Sequence, residues 1–219
     1  MISRPSPNCG PRRNGLRPKL IVIHYTAMTS AQAAVERLCD PSAEVSAHYL
    51  IAGTGQITQL VAEDQRAWHA GAGEWGGEDD INSRSIGIEL DNRGDHPFSE
   101  PQMCSLEGLL AGIMARWAIT PEGVIGHSDM APGRKFDPGP RFDWARLARQ
   151  GLAGRPGRDA GPRDPNADSF RKVAQAAGYT AQVDDKTLLD AVRLRYRPYA
   201  SGPLCAQDYT SLGQSALWT

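Results

Sequence analysis

The chain has 219 residues, with 24 Lys and Arg against 25 Asp and Glu, 40% hydrophobic residues, 23 Gly, 16 Pro and 4 Cys. This is a globular composition rich in loop, sized for one medium domain with a small appendage. No stretch approaches the ~18–20 consecutive apolar residues that cross a bilayer, and no Lys/Arg cluster is interleaved with aromatics as in a nucleic-acid binder.

The first ten residues are polar and broken by Pro5 and Pro7, with no apolar core on which a signal peptidase could act. They predict a cytoplasmic chain, or a periplasmic one whose leader was removed or that uses another export route. Leu20–Tyr25 is a β-rich apolar run suited to a central strand buried on both faces. Ser30 is placed to cap a short helix with Ala31, Ala34, Val35 and Leu38 on one side. Residues 48–52 and 56–62 flank Gly53-Thr54-Gly55 and predict a hairpin. A further strand is predicted over Ser85–Leu90. A long helix is predicted from Ser99, where Ser99 and Gln102 could form a capping box, with Met103, Leu106, Leu110, Ile113, Met114 and Trp117 at helical spacing. Val124–Gly126 is expected as a last short strand, followed by a long loop to Pro140 and a helix over about 143–150.

Together these elements predict an α/β domain, a mixed central sheet flanked by helices. Residues 151–166 are built almost wholly from Gly, Pro, Arg and Asp and read as a linker, too poor in apolar surface to offset the entropy of ordering. The division is then residues 1–150, the linker 151–166, and residues 167–219, with helices expected over 168–177, 185–196 and 207–217. Charge follows the same division. Residues 1–140 carry 12 basic and 17 acidic side chains, and residues 141–219 carry 12 and 8, so the tail suits a polyanionic surface or presents a solvated helix face. Cys9, Cys39, Cys104 and Cys205 are far apart, without a C-x-x-C pair, and are expected as buried free thiols.

The five histidines differ in setting. His24 ends the most apolar strand, at the place where α/β sheets open into a ligand crevice. His127 follows the last strand directly, and Asp137 lies ten residues further on. Two imidazoles and a carboxylate would suit a catalytic zinc with a fourth position left for water, although Asp137-Pro138-Gly139 also reads as an ordinary turn. Glu89 is a carboxylate inside an apolar strand, which needs either a cation or a proton-handling task. Lys135 shares the loop of Asp137 and could face a developing oxyanion or simply solvent.

The segments Ile23-His24-Tyr25-Thr26-Ala27, Ser46-Ala47-His48-Tyr49, Ala67-Trp68-His69-Ala70-Gly71, Asn82 through Leu90, and Gly126-His127-Ser128-Asp129 through Asp137-Pro138-Gly139-Pro140 occur in one order over residues 20–150. In this the chain resembles the zinc-dependent type-2 N-acetylmuramoyl-L-alanine amidases, most closely the anhydro-muramyl-peptide group. The resemblance implies that His24, His127 and Asp137 bind Zn2+, that Glu89 is the general base and that Lys135 stabilises the transition state. It also implies a substrate groove lined by Tyr25, Thr26, His69 and Asn82, with Trp75 a further candidate. The substrate would be peptidoglycan or soluble muropeptides. His48 is read as structural or as supporting the site, and His96 as a surface-loop residue. Catalytically inactive recognition modules of this fold typically lack a zinc ligand, whereas all five implied residues are present here. Residues 167–219 are similar to a peptidoglycan-binding module, but Val192-Arg193 stands where such modules have Phe-Gln, and the turn over residues 202–205 is altered.

Overall fold

The chain was analysed as a computed structural model that describes residues 1–157 and 161–212. Two short strands, β1 (Ile2–Ser3) and β2 (Cys9–Pro11), precede the apolar run, which forms β3 (Leu20–Tyr25). Helix α1 (Ala31–Cys39) starts at Ser30, whose hydroxyl accepts from the Ala33 N–H. The hairpin is present with shorter arms than expected, β4 (Tyr49–Ile51) and β5 (Ile57–Gln59), and Gly55 takes the positive φ (+85°) of the turn. Next come β6 (Gln65–Ala67), the one-turn helix α2 (Ile81–Arg84) and β7 (Ser85–Leu90). Helix α3 (Glu100–Trp117) leads into β8 (Val124–Gly126), then α4 (His127–Met130) and α5 (Trp144–Arg149). The segment after β8, expected as loop throughout, therefore begins with a helical turn.

The main sheet has six strands in the order β1-β5-β4-β7-β3-β8, and β2 pairs with β6 in a second, two-stranded sheet. Strands β4, β7, β3 and β8 run parallel and β5 and β1 run opposite to them, so the sheet is mixed, as predicted, at the β4–β5 pair. Period-two alternation sorts the central strands into layers. Ile21 and Ile23 of β3 and Ile86, Ile88 and Leu90 of β7 pack under α3 against Leu106, Leu110 and Ile113. Leu20 and Val22 face the opposite layer with Ile81, Ile125 and Met130. Each fully buried Ile or Leu stabilises the fold by about 1.5–3 kcal/mol. By the same alternation His24 on β3, and Ser85, Gly87 and Glu89 on β7, lie on the face away from α3.

The capping box at α3 forms only by half. Ser99 accepts from the Gln102 N–H, but the Gln102 carboxamide donates to the Ile51 and Asp91 carbonyls instead of reaching back. The cysteines are free, but none is fully buried, and Cys104 is exposed on the outer face of α3.

Beyond the linker, α6 (Ala167–Ala176), α7 (Asp185–Tyr196) and α8 (Ala206–Leu212) enclose their own apolar cluster around Phe170, Leu188, Val192 and Tyr209. The end of the third expected helix, residues 213–217, lies outside the described residues. Arg193 explains the two sequence departures together. Its guanidinium binds both oxygens of buried Asp208 (2.9 and 2.7 Å) and the carbonyls of Gly202 and Pro203 (2.8 and 2.9 Å), so the altered turn is shaped around it. Helix α7 packs on α4. There Arg195 pairs with Asp129 (2.6 Å), which also accepts from the Tyr179 hydroxyl (2.7 Å).

Candidate active site

Parallel register places His24 directly opposite Glu89 on β7, while Ile23 pairs with Gly126 on β8, the residue before His127. All three side chains thus emerge at the carboxyl edge of the sheet. The loop after α4 brings Asp137 to the same place, held by the Ser128 N–H donating to the Asp137 carbonyl (2.9 Å).

His24 Nδ1 lies 2.9 Å from His127 Nδ1 and 2.9 Å from Asp137 Oδ2, and His127 Nδ1 lies 3.0 Å from the same oxygen. His127 Nε2 is 2.9 Å from the Ala70 carbonyl, which can only accept, so this nitrogen carries the proton and Nδ1 presents a lone pair to the centre. Burial, reinforced by the neighbouring His127, lowers His24 to about 4, so its imidazole is neutral near pH 7. Burial alone would raise Asp137, but its close contacts with His127 and His24 outweigh burial and lower it below the usual carboxylate range. Two ring nitrogens and a carboxylate oxygen therefore converge, all three residues buried. Such electron-rich atoms repel at this spacing unless a cation lies among them, and an N2O donor set suits zinc with a position left open. Among the described residues this is the group that could hold a metal ion.

Glu89 faces the same space. Its Oε2 has no hydrogen-bond partner, and burial, aided by the charge of Asp137 and opposed by Lys135, pushes its carboxyl up to about 8. Lys135 lines the cavity with these groups. The cavity measures about 360 Å3 and is walled further by Tyr25, Thr26, Trp68 and His69, with Arg37 and the 62% exposed Phe136 at its margin.

The implied groove residues fall into different places. Tyr25 borders the cavity, its ring resting on Gly94 where a Cβ would come within 2.9 Å. Thr26 borders it too, but its hydroxyl accepts from the Met28 N–H (3.3 Å) and shapes the turn at Ala27, a non-glycine residue with φ of +52°. His69 has both ring nitrogens engaged, with His24 and with Ser85. The buried Asn82 carboxamide accepts from the His69 and Ala70 N–H groups (3.0 and 2.8 Å), so it supports the loop from behind. Trp75 is not at the site. It stacks edge-on against Tyr179 (4.9 Å) under the C-terminal helices, because Gly178 leaves room for its ring. His48 is fully buried, accepts from the Gly87 N–H (2.9 Å) and contacts the Gln65 carbonyl (3.1 Å), joining β7 to the start of β6. His96 is exposed beside Asp95. Sequence reasoning did not single out Arg37, Met28 or Phe136, whose only signal is proximity created by the fold.

A sheet-edge donor triad beside an unpaired buried carboxyl group has the form of a hydrolytic metal site. Residues 14–140 match the N-acetylmuramoyl-L-alanine amidase family. The chain is 43% identical over 156 residues to N-acetylmuramoyl-L-alanine amidase AmiD of Escherichia coli, covering 64% of this chain and 55% of that protein. It is 37% identical over 159 residues to 1,6-anhydro-N-acetylmuramyl-L-alanine amidase AmpD of Haemophilus influenzae, covering 64% and 86%. Among solved structures, the complex of E. coli AmiD with anhydro-N-acetylmuramic acid-L-Ala-D-gamma-Glu-L-Lys superposes with a TM-score of 0.80 at 33% identity, over 95% of this chain and 90% of that one. The chain belongs to the N-acetylmuramoyl-L-alanine amidase family. The matched stretch spans about half the length of AmiD and most of that of AmpD.

Proposed function

We propose that this chain is a zinc-dependent N-acetylmuramoyl-L-alanine amidase. It would hydrolyse the amide between the lactyl group of N-acetylmuramic acid, or its anhydro form, and the L-alanine of the peptidoglycan stem peptide. The observation that carries this reading is the convergence of His24, His127 and Asp137 within 3.0 Å of one another beside Glu89. Its kinship with AmiD and AmpD supplies the substrate class. His24, His127 and Asp137 would hold the zinc, which when bound polarises a carbonyl and lowers the pKa of water towards ~7.

Glu89 takes the proton of the attacking water and passes it to the leaving amine; a carboxyl group with no fixed partner on Oε2 is free to do both. Lys135 offsets the negative charge that develops on the carbonyl oxygen. Tyr25, Trp68 and Phe136 offer apolar faces for sugar or peptide around the reacting bond. The same reading divides the chain into an amidase domain of residues 1–150, a linker of residues 151–166 and a helical module of residues 167–219. The separate apolar clusters of the two parts support that division, although Leu152 and Ala153, at the start of the linker, are buried in the amidase cluster. No helix among the described residues is long and apolar enough to cross a membrane.

The test is mass spectrometry of products after zinc-loaded protein is incubated, with and without chelator, with intact sacculi and separately with soluble anhydro-muropeptides. Chelator-sensitive release of free stem peptide is expected. The preferred substrate assigns the enzyme to wall remodelling in the periplasm or to fragment recycling in the cytoplasm. No release from either substrate by protein shown to hold zinc would overturn the proposal.

A further inference from the structure

The structure assigns His69 a task that the family resemblance does not: it is a positioning residue that holds the His24 ring, with Ser85 as its anchor. This rests on the metal-site reading above, and begins at a carbonyl. The buried Ser85 hydroxyl lies 2.6 Å from the Ile81 carbonyl oxygen, which can only accept, so the hydroxyl hydrogen is committed there. The other contact of that hydroxyl, 3.1 Å to His69 Nε2, must then be a bond that His69 donates. His69 is thereby fixed with its proton on Nε2 and a lone pair on Nδ1. That lone pair lies 3.0 Å from His24 Nε2 and accepts its proton, so His24 turns an unprotonated Nδ1 towards His127 and Asp137.

One backbone carbonyl thus sets the direction of every bond in the series Ile81, Ser85, His69, His24. The seat for the His69 ring is built into β7. At Gly87, on the same face as Ser85 and Glu89, a Cβ would come within 2.4 Å of the His69 ring, so only glycine leaves the slot open. The neighbouring residue serves the other imidazole. Ala70 offers its carbonyl to His127 Nε2, while Asn82 grips the N–H groups of both His69 and Ala70. Outer partners of this kind fix tautomer and ring angle in metal sites, and their loss typically weakens metal affinity about 10–100-fold.

The experiment is zinc competition against a chromophoric chelator, run on the full chain with melting of the zinc-free protein as the check on folding. His69→Ala and His69→Phe are expected to bind zinc about 10–100-fold more weakly than the parent. His69→Asn, whose carbonyl oxygen can take the place of Nδ1, should recover most of that loss, and Ser85→Ala should lose part of it. Nitrogen-15 NMR of the histidine rings should show the Nε2–H tautomer at His69. A parent that binds no zinc would refute the metal-site reading itself. A parent that binds zinc while both His69→Ala and His69→Phe bind it equally well would overturn this inference alone. So would an Nδ1–H tautomer at His69, or His69→Asn binding no better than His69→Ala.

Discussion

Replacing Arg195 with methionine removes the guanidinium that fixes α7 on α4, the turn that begins with His127. Arg195 is buried, donates to Asp129 Oδ2 (2.6 Å) and to the Val124 carbonyl (3.1 Å), and lies 3.9 Å over the Trp144 ring. Methionine fills similar space without strain, but among the described residues it leaves the carboxylate of Asp129, 1% exposed, with only the Gly126 N–H (2.7 Å) and the Tyr179 hydroxyl (2.7 Å) as donors. Stranding one member of a buried ion pair costs about 3–5 kcal/mol. The lost contact with Trp144 is contained within that figure, since the contributions of one side chain do not add independently. Urea unfolding followed by tryptophan fluorescence measures it. The double variant Arg195→Met/Asp129→Asn, which strands no charge, should regain more than half of the loss. A single variant destabilised by less than about 1 kcal/mol, the range of exposed pairs, would refute the idea that this contact docks the C-terminal helices.

Glu89→Gln keeps the shape of the side chain and removes its basicity, so turnover should fall about 10²–10⁴-fold while zinc content by atomic absorption stays at the parent level; loss of zinc would contradict its assignment as the base. Asp137→Ala removes the anionic donor, and the zinc-dependent rise in melting temperature seen by calorimetry should vanish; an unchanged rise would exclude Asp137 as a ligand. Asp208 is raised by burial but held down, to about 2, by hydrogen bonds with Arg193, Cys205 and Arg197. Because its folded pKa lies below the ordinary 3.8, its contribution to stability is complete above that pH and is lost as the pH falls towards 2. The stability gap between parent and Asp208→Asn, read from denaturant midpoints, should therefore be flat above about pH 5 and close on acidification; a gap that widens in acid would contradict the pairing.

The strands that build the site were legible because their signal is continuous. Leu20–Tyr25 and Ser85–Leu90 are six-residue runs buried almost throughout, and both emerge with the predicted bounds. Strands β1, β2 and β6 escape notice because Ile-Ser, Cys-Gly-Pro and Gln-Arg-Ala carry no apolar run, unlike the similarly short β8. Gln102 misleads for another reason: its spacing from Ser99 satisfies the capping pattern, yet two backbone carbonyls from other elements capture its amide. At the site, the convergence of His24, His127 and Asp137 follows from strand ends and could be anticipated. The placement of Trp75 could not, since Tyr179 and Gly178 are a hundred residues distant and nothing local distinguishes an aromatic that faces a groove from one that faces a helix. His69 was found by pattern, but the donor and acceptor order that gives it a task depends on the Ile81 carbonyl, which no side-chain pattern reveals.

The direct pairing of His24 with Glu89 makes their separation a property of the sheet. Neighbouring strands lie about 4.8 Å apart whatever their connections do, so base and ligand share a ruler that loop changes do not touch. Lengthening an exposed loop that only connects the strands should leave their distance intact. Deleting one residue inside β3 would act in the opposite way. The strand would slip by one position and turn His24 into the layer beneath α3, so the spacing of Glu89 and His24 should survive changes in connecting loops but hardly any change in the length of the central strands.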